Sequence, residues 1–216
     1  MLHALTGGVA ALALASVAAT TDPGPANPSE PTLAQVKAAA EKYRDVKAAL
    51  ADGYIEDPSG MCETAAMMGK PESLGAMGIH YFRPDLLGIT APPNPRVNGN
   101  GTHTDFRKPS ILIYEPRPDG SLELVAVENL VFRWAWHEAG HAAPPTFHGV
   151  SYEMMADDPR TKVDEAHMFE PHYDLHFWVF RDNPNGRFAP FNPNVSCAGM
   201  QASHDVMHGH PHGRDR

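Results

Sequence analysis

The stretch HYDLHFWVF, residues 172–180, constrains the fold more than any other. In an extended chain, residues two apart share a face. His172, Asp174, His176, Trp178 and Phe180 then line one side, and Tyr173, Leu175, Phe177 and Val179 the other. Both sides carry large apolar groups, so neither can be left to water. The strand predicted here is central, with a layer of structure over each face.

Its partners are read the same way. Ala76–Phe82 (AMGIHYF), Ser110–Glu115 (SILIYE) and Leu122–Phe132 (LELVAVENLVF) are rich in β-branched and aromatic residues, and Asp119-Gly120 between the last two is a hairpin signal. Upstream, Leu33, Val36, Ala40, Tyr43, Val46 and Leu50 recur at three- and four-residue spacing behind Thr32, an N-cap residue, and ahead of Gly53, a stop. That predicts an amphipathic helix over about 33–51. A short helix is expected near 61–69, a loop over Asn94–Pro109, and irregular chain over 134–171, where Pro144, Pro145 and Pro159 break any regular element. No helix–strand alternation runs through the chain, which argues against a doubly wound parallel sheet. The expected class is α+β: the N-terminal helix packed on an antiparallel sheet, or on a small partly closed barrel, with long loops.

With 216 residues the chain is long enough for one well-buried core. Residues 1–19 are small and apolar, end in Ser16-Val17-Ala18-Ala19, and read as a signal peptide. Residues 20–32 form a Pro-rich linker, 33–200 a single globular domain, and 201–216 a disordered His-rich tail carrying His204, His208, His210 and His212. The mature protein is expected to be secreted or periplasmic, with no stable membrane span. Cys62 and Cys197 are the only cysteines, and in an exported chain they are expected to pair. Closing so long a loop contributes roughly 4–5 kcal/mol through the unfolded state. A net charge of −9 argues against nucleic acid or an anionic membrane as partner, since both need a basic face. A metal or a small ligand is the partner class left open.

Two constellations carry possible chemistry. HEAGH, residues 137–141, matches the H-E-x-x-H pattern in which His137 and His141 hold zinc from one helix face and Glu138 serves as general base. The setting is poor: strand formers precede it, Pro144 follows closely, and no well-spaced third ligand appears, although Glu165 lies downstream. The other set lies on the strands. His80, Glu128, Asp174 and His176 fall on otherwise apolar strand faces, where a polar group is costly unless partnered. Together they would make a divalent-metal site, for Zn or Cu, or an acid–base group. Alternatively, each is a satisfied packing residue.

The segments GYIEDPSGMC, GAMGIHYF, ILIYEP, LELVAVEN and YDLHFWVFRDNPNGRFAPFNPNVSC, spread in order over about 35–197, resemble a family of exported, mostly bacterial proteins with no established activity. The resemblance implies export and one domain. Its recurrent segments include His80 and Asp174-Leu175-His176 but not HEAGH. Three functions therefore stand as expectations: an exported protein binding a divalent metal or small ligand in a His/carboxylate pocket, a zinc peptidase using HEAGH, and a non-catalytic structural module.

Overall fold

The computed structural model describes residues 29–200. The expected signal peptide, the linker up to residue 28 and the His-rich tail lie outside the described residues. Thr32 opens the fold with a capping box: its hydroxyl accepts from the Gln35 N–H, and the Gln35 side chain accepts from the Thr32 N–H. The helix expected over 33–51 is interrupted. It consists of α1 (Leu33–Ala40), a 3₁₀ turn over Glu41–Arg44, and α2 (Val46–Ala51). Asp45 makes the break: it is extended, and its carboxylate accepts from the Lys47 N–H to cap α2. The break leaves Tyr43 buried, and its carbonyl accepts from the Tyr114 hydroxyl at 2.7 Å.

The chain continues through β1 (Ile55–Glu56), β2 (Cys62–Thr64), β3 (Ala76–Phe82), the single turn α3 (Pro84–Leu87), β4 (Ile111–Pro116) and β5 (Leu122–Phe132). Then come α4 (Arg133–Glu138), the small hairpin β6 (Thr146–Phe147) and β7 (Val150–Ser151), then β8 (Glu153–Met155) and β9 (His172–Phe177). The main sheet runs β1-β3-β4-β5-β9-β8, with β2 also on β3, and every pairing is antiparallel. The sheet is open rather than a closed barrel. Among the described residues no helix is long and apolar enough to cross a membrane.

Three local expectations are corrected. The segment 61–69 begins as a strand, because Cys62 and Glu63 pair with Ile79 and Gly78 of β3. The segment 134–171 is less irregular than its prolines imply, since it contains part of α4 and all of β6, β7 and β8. Strand β9 stops at Phe177, because the Trp178 N–H turns to the Arg187 carbonyl, although the Phe180 N–H still reaches the Val125 carbonyl of β5.

β9 is central and covered on both faces. Tyr173, Leu175 and Phe177 join one apolar cluster with Tyr81, Leu112, Tyr114, Val127, Tyr43 and Val36. On the other side Phe82, Ile111, Ile113, Leu130, Phe132 and Trp178 form a second cluster. Two fully buried polar residues tie β4 to β5: the Ser110 N–H donates to Asn129 Oδ1 at 2.8 Å, and the Leu130 N–H donates to Ser110 Oγ at 3.1 Å. Cys62 and Cys197 form the expected disulfide, with Cα atoms 5.6 Å apart, fastening β2 to the C-terminal segment.

Candidate metal centre

The second face of the sheet carries the polar set. Glu128 on β5 stands directly opposite His176 on β9, and Leu130 opposite Asp174. His80 lies two strands away, opposite Ile113 of β4. Two strand spacings are about 10 Å, a gap that a Glu and a His side chain close by leaning toward each other over β4. His80 Nε2 comes to 3.5 Å from Glu128 Oε2, and His176 Nε2 to 3.4 Å from the same oxygen. The residue before His80 on this face is Gly78, at φ +125°, where a Cβ would lie 2.7 Å from the Tyr114 carbonyl and 2.9 Å from Ile113. The strand approaches its neighbour this closely only because position 78 has no side chain.

His80, Glu128 and His176 therefore converge, with one ligand atom from each within 4.8 Å of the others. Asp174 lines the same cavity but is not one of this close trio. The cavity measures about 30 Å³, room for one small occupant. Its remaining wall is partly apolar, from Phe82, Leu130 and Phe169, and partly ionisable, from Glu63, His167 and His172. His172 shares the face of Asp174 by strand alternation. Glu63 and His167 carry no such signal: Glu63 reaches the site because β2 is a strand pinned by Cys62, and His167 comes from a loop.

Charge is dense and buried. Glu63 Oε2 lies against His167 Nδ1 and 3.8 Å from His80 Nδ1. Burial alone would raise the Glu63 carboxyl, but His80 and His167 outweigh it and hold it below its ordinary range. Burial likewise opposes the His80 cation, yet the Glu63 charge and the Glu128 contact push its pKa up to about 9. His167 is raised by Glu63 against the same burial penalty. Asp174 is held low by contact with His172 and by His176, again against burial.

Three cavity-lining atoms, Glu63 Oε2, Glu128 Oε2 and His176 Nε2, are buried without a hydrogen bond among the described residues, and Glu63 has the His167 ion pair in its place. Such a group costs about 1–3 kcal/mol, more when charged. One cation in the cavity would satisfy the lone pairs of Glu128 Oε2, His176 Nε2 and His80 Nε2. Two imidazoles and a carboxylate suit Zn or Cu, and three protein ligands leave a fourth position for a water or small ligand.

HEAGH lies elsewhere. Helix α4 ends at Glu138, Gly140 follows at φ +92°, and His141 comes after the turn. His137 uses both ring nitrogens inside the fold, with the His141 carbonyl at 2.7 Å and the Tyr173 hydroxyl at 3.0 Å. His141 lies flat on Trp136, with ring centroids 3.8 Å apart. Tyr173 belongs to the cluster on the opposite face of the sheet, so this region is remote from the trio's face. Zinc between His137 and His141 would require breaking at least one of the two His137 hydrogen bonds. Glu165 accepts from the Thr161 hydroxyl and the Asp158 N–H, as a loop brace.

No family model, curated protein or solved structure matches the chain.

Proposed function

We propose that this is an exported protein whose sheet holds one divalent transition-metal ion, Zn or Cu, between His80, Glu128 and His176, with the fourth position open to a small ligand. The observation that carries this is a pair of buried atoms without a hydrogen bond, Glu128 Oε2 and His176 Nε2, which converge with His80 on one small cavity. Glu128 Oε2 stands at ion-pair distance from both rings, 3.5 Å from His80 Nε2 and 3.4 Å from His176 Nε2. Export is supported by the Cys62–Cys197 disulfide, a bond that persists in oxidising compartments. The amphipathic N-terminal helix belongs to the same reading: its apolar residues back the sheet face opposite the metal and stiffen the strands that carry the ligands.

Co(II), added to chelator-treated protein, tests the centre because its visible absorption reports nitrogen and oxygen coordination. The wild type should develop one equivalent of bound Co(II). His80→Asn and His176→Asn should lose it while near-ultraviolet circular dichroism stays unchanged. Unfolding of both variants, or full Co(II) binding by both, refutes the centre. No comparable structural observation favours a peptidase built on His137, Glu138 and His141; proteolysis abolished by Glu138→Gln would revive it.

A further inference from the structure

Methionine is ordinarily a core residue, yet among the described residues four of the seven exposed large hydrophobics are Met61, Met67, Met154 and Met168. Two of them, Met61 and Met67, stand together. Met61, Met67 and Met68 line one surface groove of about 100 Å³ together with Glu63, Asp164 and His167. Glu63 and His167 also line the inner cavity. That pair is thus the partition between a thioether-lined groove outside and the His80–Glu128–His176 cavity inside. Met68 continues the band into a neighbouring groove with Met77, Met154 and Met155.

The partition is held in an unusual conformation. His167 and Met168 are consecutive non-glycine residues at φ +54° and +65°, a state that costs free energy and collects at functional sites. Arg96 secures the loop around them, reaching Asp157 at 2.7 Å, Asp164 at 2.6 Å and the Phe169 carbonyl at 2.7 Å.

Thioethers are soft, uncharged ligands. They select Cu(I) and offer little to Zn, Ca or Mg. Both cysteines are engaged in the disulfide, so methionine supplies the only soft donors among the described residues. We propose that Met61, Met67 and Met68, with His167, form a Cu(I)-binding groove that gives copper access to the buried centre. The inference deepens the metal-site reading: it selects copper from the two candidate metals and rests on that reading only for the ion's destination. Capture is a ligand exchange with no redox step. A methionine-rich surface can also be an adaptable docking face for a protein, but such a face has no need of an imidazole and a carboxylate shared with an inner cavity.

The test uses the full chain, titrated anaerobically with Cu(I) in ascorbate against a chromophoric Cu(I) chelator, and compares wild type with Met61→Leu/Met67→Leu. Both residues are exposed and the exchange conserves volume, so the fold is retained. The tail histidines are common to both proteins and cancel. The double variant should bind Cu(I) at least ten-fold more weakly. It should also lose the copper–sulfur scattering seen by X-ray absorption in wild type loaded with one equivalent, while its Co(II) spectrum stays that of wild type. Unchanged Cu(I) affinity and unchanged sulfur scattering overturn the groove and leave the inner centre standing. Loss of Cu(I) in the variant, with no Co(II) bound by wild type, overturns the inner centre and the access role but upholds the Cu(I) groove.

Discussion

Filling the inner centre should raise the unfolding temperature, and removing the three ligands together should erase that rise. An ion that binds only the folded chain stabilises it by RT ln(1 + [L]/Kd), about 2.7 kcal/mol at a hundred-fold excess over Kd. In a folded unit of this size each kcal/mol moves the midpoint by roughly 2–4 °C, so the expected rise is about 5–11 °C. The perturbation must be chosen with charge in mind. Removing His80 and His176 alone strands the Glu128 carboxylate in the interior, and an uncompensated buried charge destabilises by about 3–5 kcal/mol. His80→Asn/Glu128→Gln/His176→Asn keeps the cavity neutral and polar. Calorimetric scans of chelator-stripped wild type and triple variant, with and without Zn(II) or Cu(II), make the measurement. An ion gathered by histidines equally available in the unfolded chain adds nothing to the midpoint, so the shift isolates the folded site. A triple variant that retains the full metal-induced rise, or a wild type that shows none, refutes the reasoning.

Further outcomes follow from the same geometry. His80 has its pKa raised to about 9, above its unfolded value, so its proton stabilises the metal-free fold at low pH and that contribution is lost as pH rises through about 9. A metal needs the deprotonated ring, so Zn(II) affinity measured by competition should strengthen up to ten-fold per pH unit per displaced proton and level off above about 9. Cys62→Ser/Cys197→Ser opens a crosslink spanning 135 residues, for which chain entropy gives up to about 5 kcal/mol. The urea midpoint should fall accordingly, and the metal-induced temperature rise should shrink because Glu63 loses its anchor. Asn129→Ala leaves the buried Ser110 N–H without its acceptor and should cost about 1–3 kcal/mol in denaturant unfolding. Gly78→Ala should destabilise by more than about 1 kcal/mol, since both its φ and its space exclude a side chain.

Period-two patterning located the long strands β3, β4, β5 and β9 and assigned His80, Glu128, Asp174 and His176 to single faces. It could not show that these faces coincide, because registers such as Glu128 opposite His176 depend on which strands become neighbours. Glu63 was hidden by helix-favouring residues around it, Ala65 to Met68, and became visible only through its pairing with Gly78. His167 stands in a loop whose conformation is set by distant Arg96, beyond the reach of any local signal. Over 33–51 the apolar spacing predicted one continuous helix, whereas Asp45, a residue that favours caps over helix interiors, marks a break ahead of α2. In HEAGH the informative residues were the neighbours. The strand before it and the prolines after it left about ten residues for a helix, and the turn at Gly140 cuts α4 to six.

Odd–even alternation makes β9 two ribbons in one. Its even residues, His172, Asp174 and His176, supply the chemistry, and its odd residues, Tyr173, Leu175 and Phe177, supply the oil. Sliding the strand one notch along β5 would exchange them, sending two imidazoles and a carboxylate into the apolar cluster and three apolar rings and chains toward Glu128. Such a chain would be penalised on both faces and would lose the His80–Glu128–His176 cluster. If the proposed centre holds a metal, its retention would double as a proofreading signal for strand pairing, since only a correctly zipped chain brings His176 to Glu128.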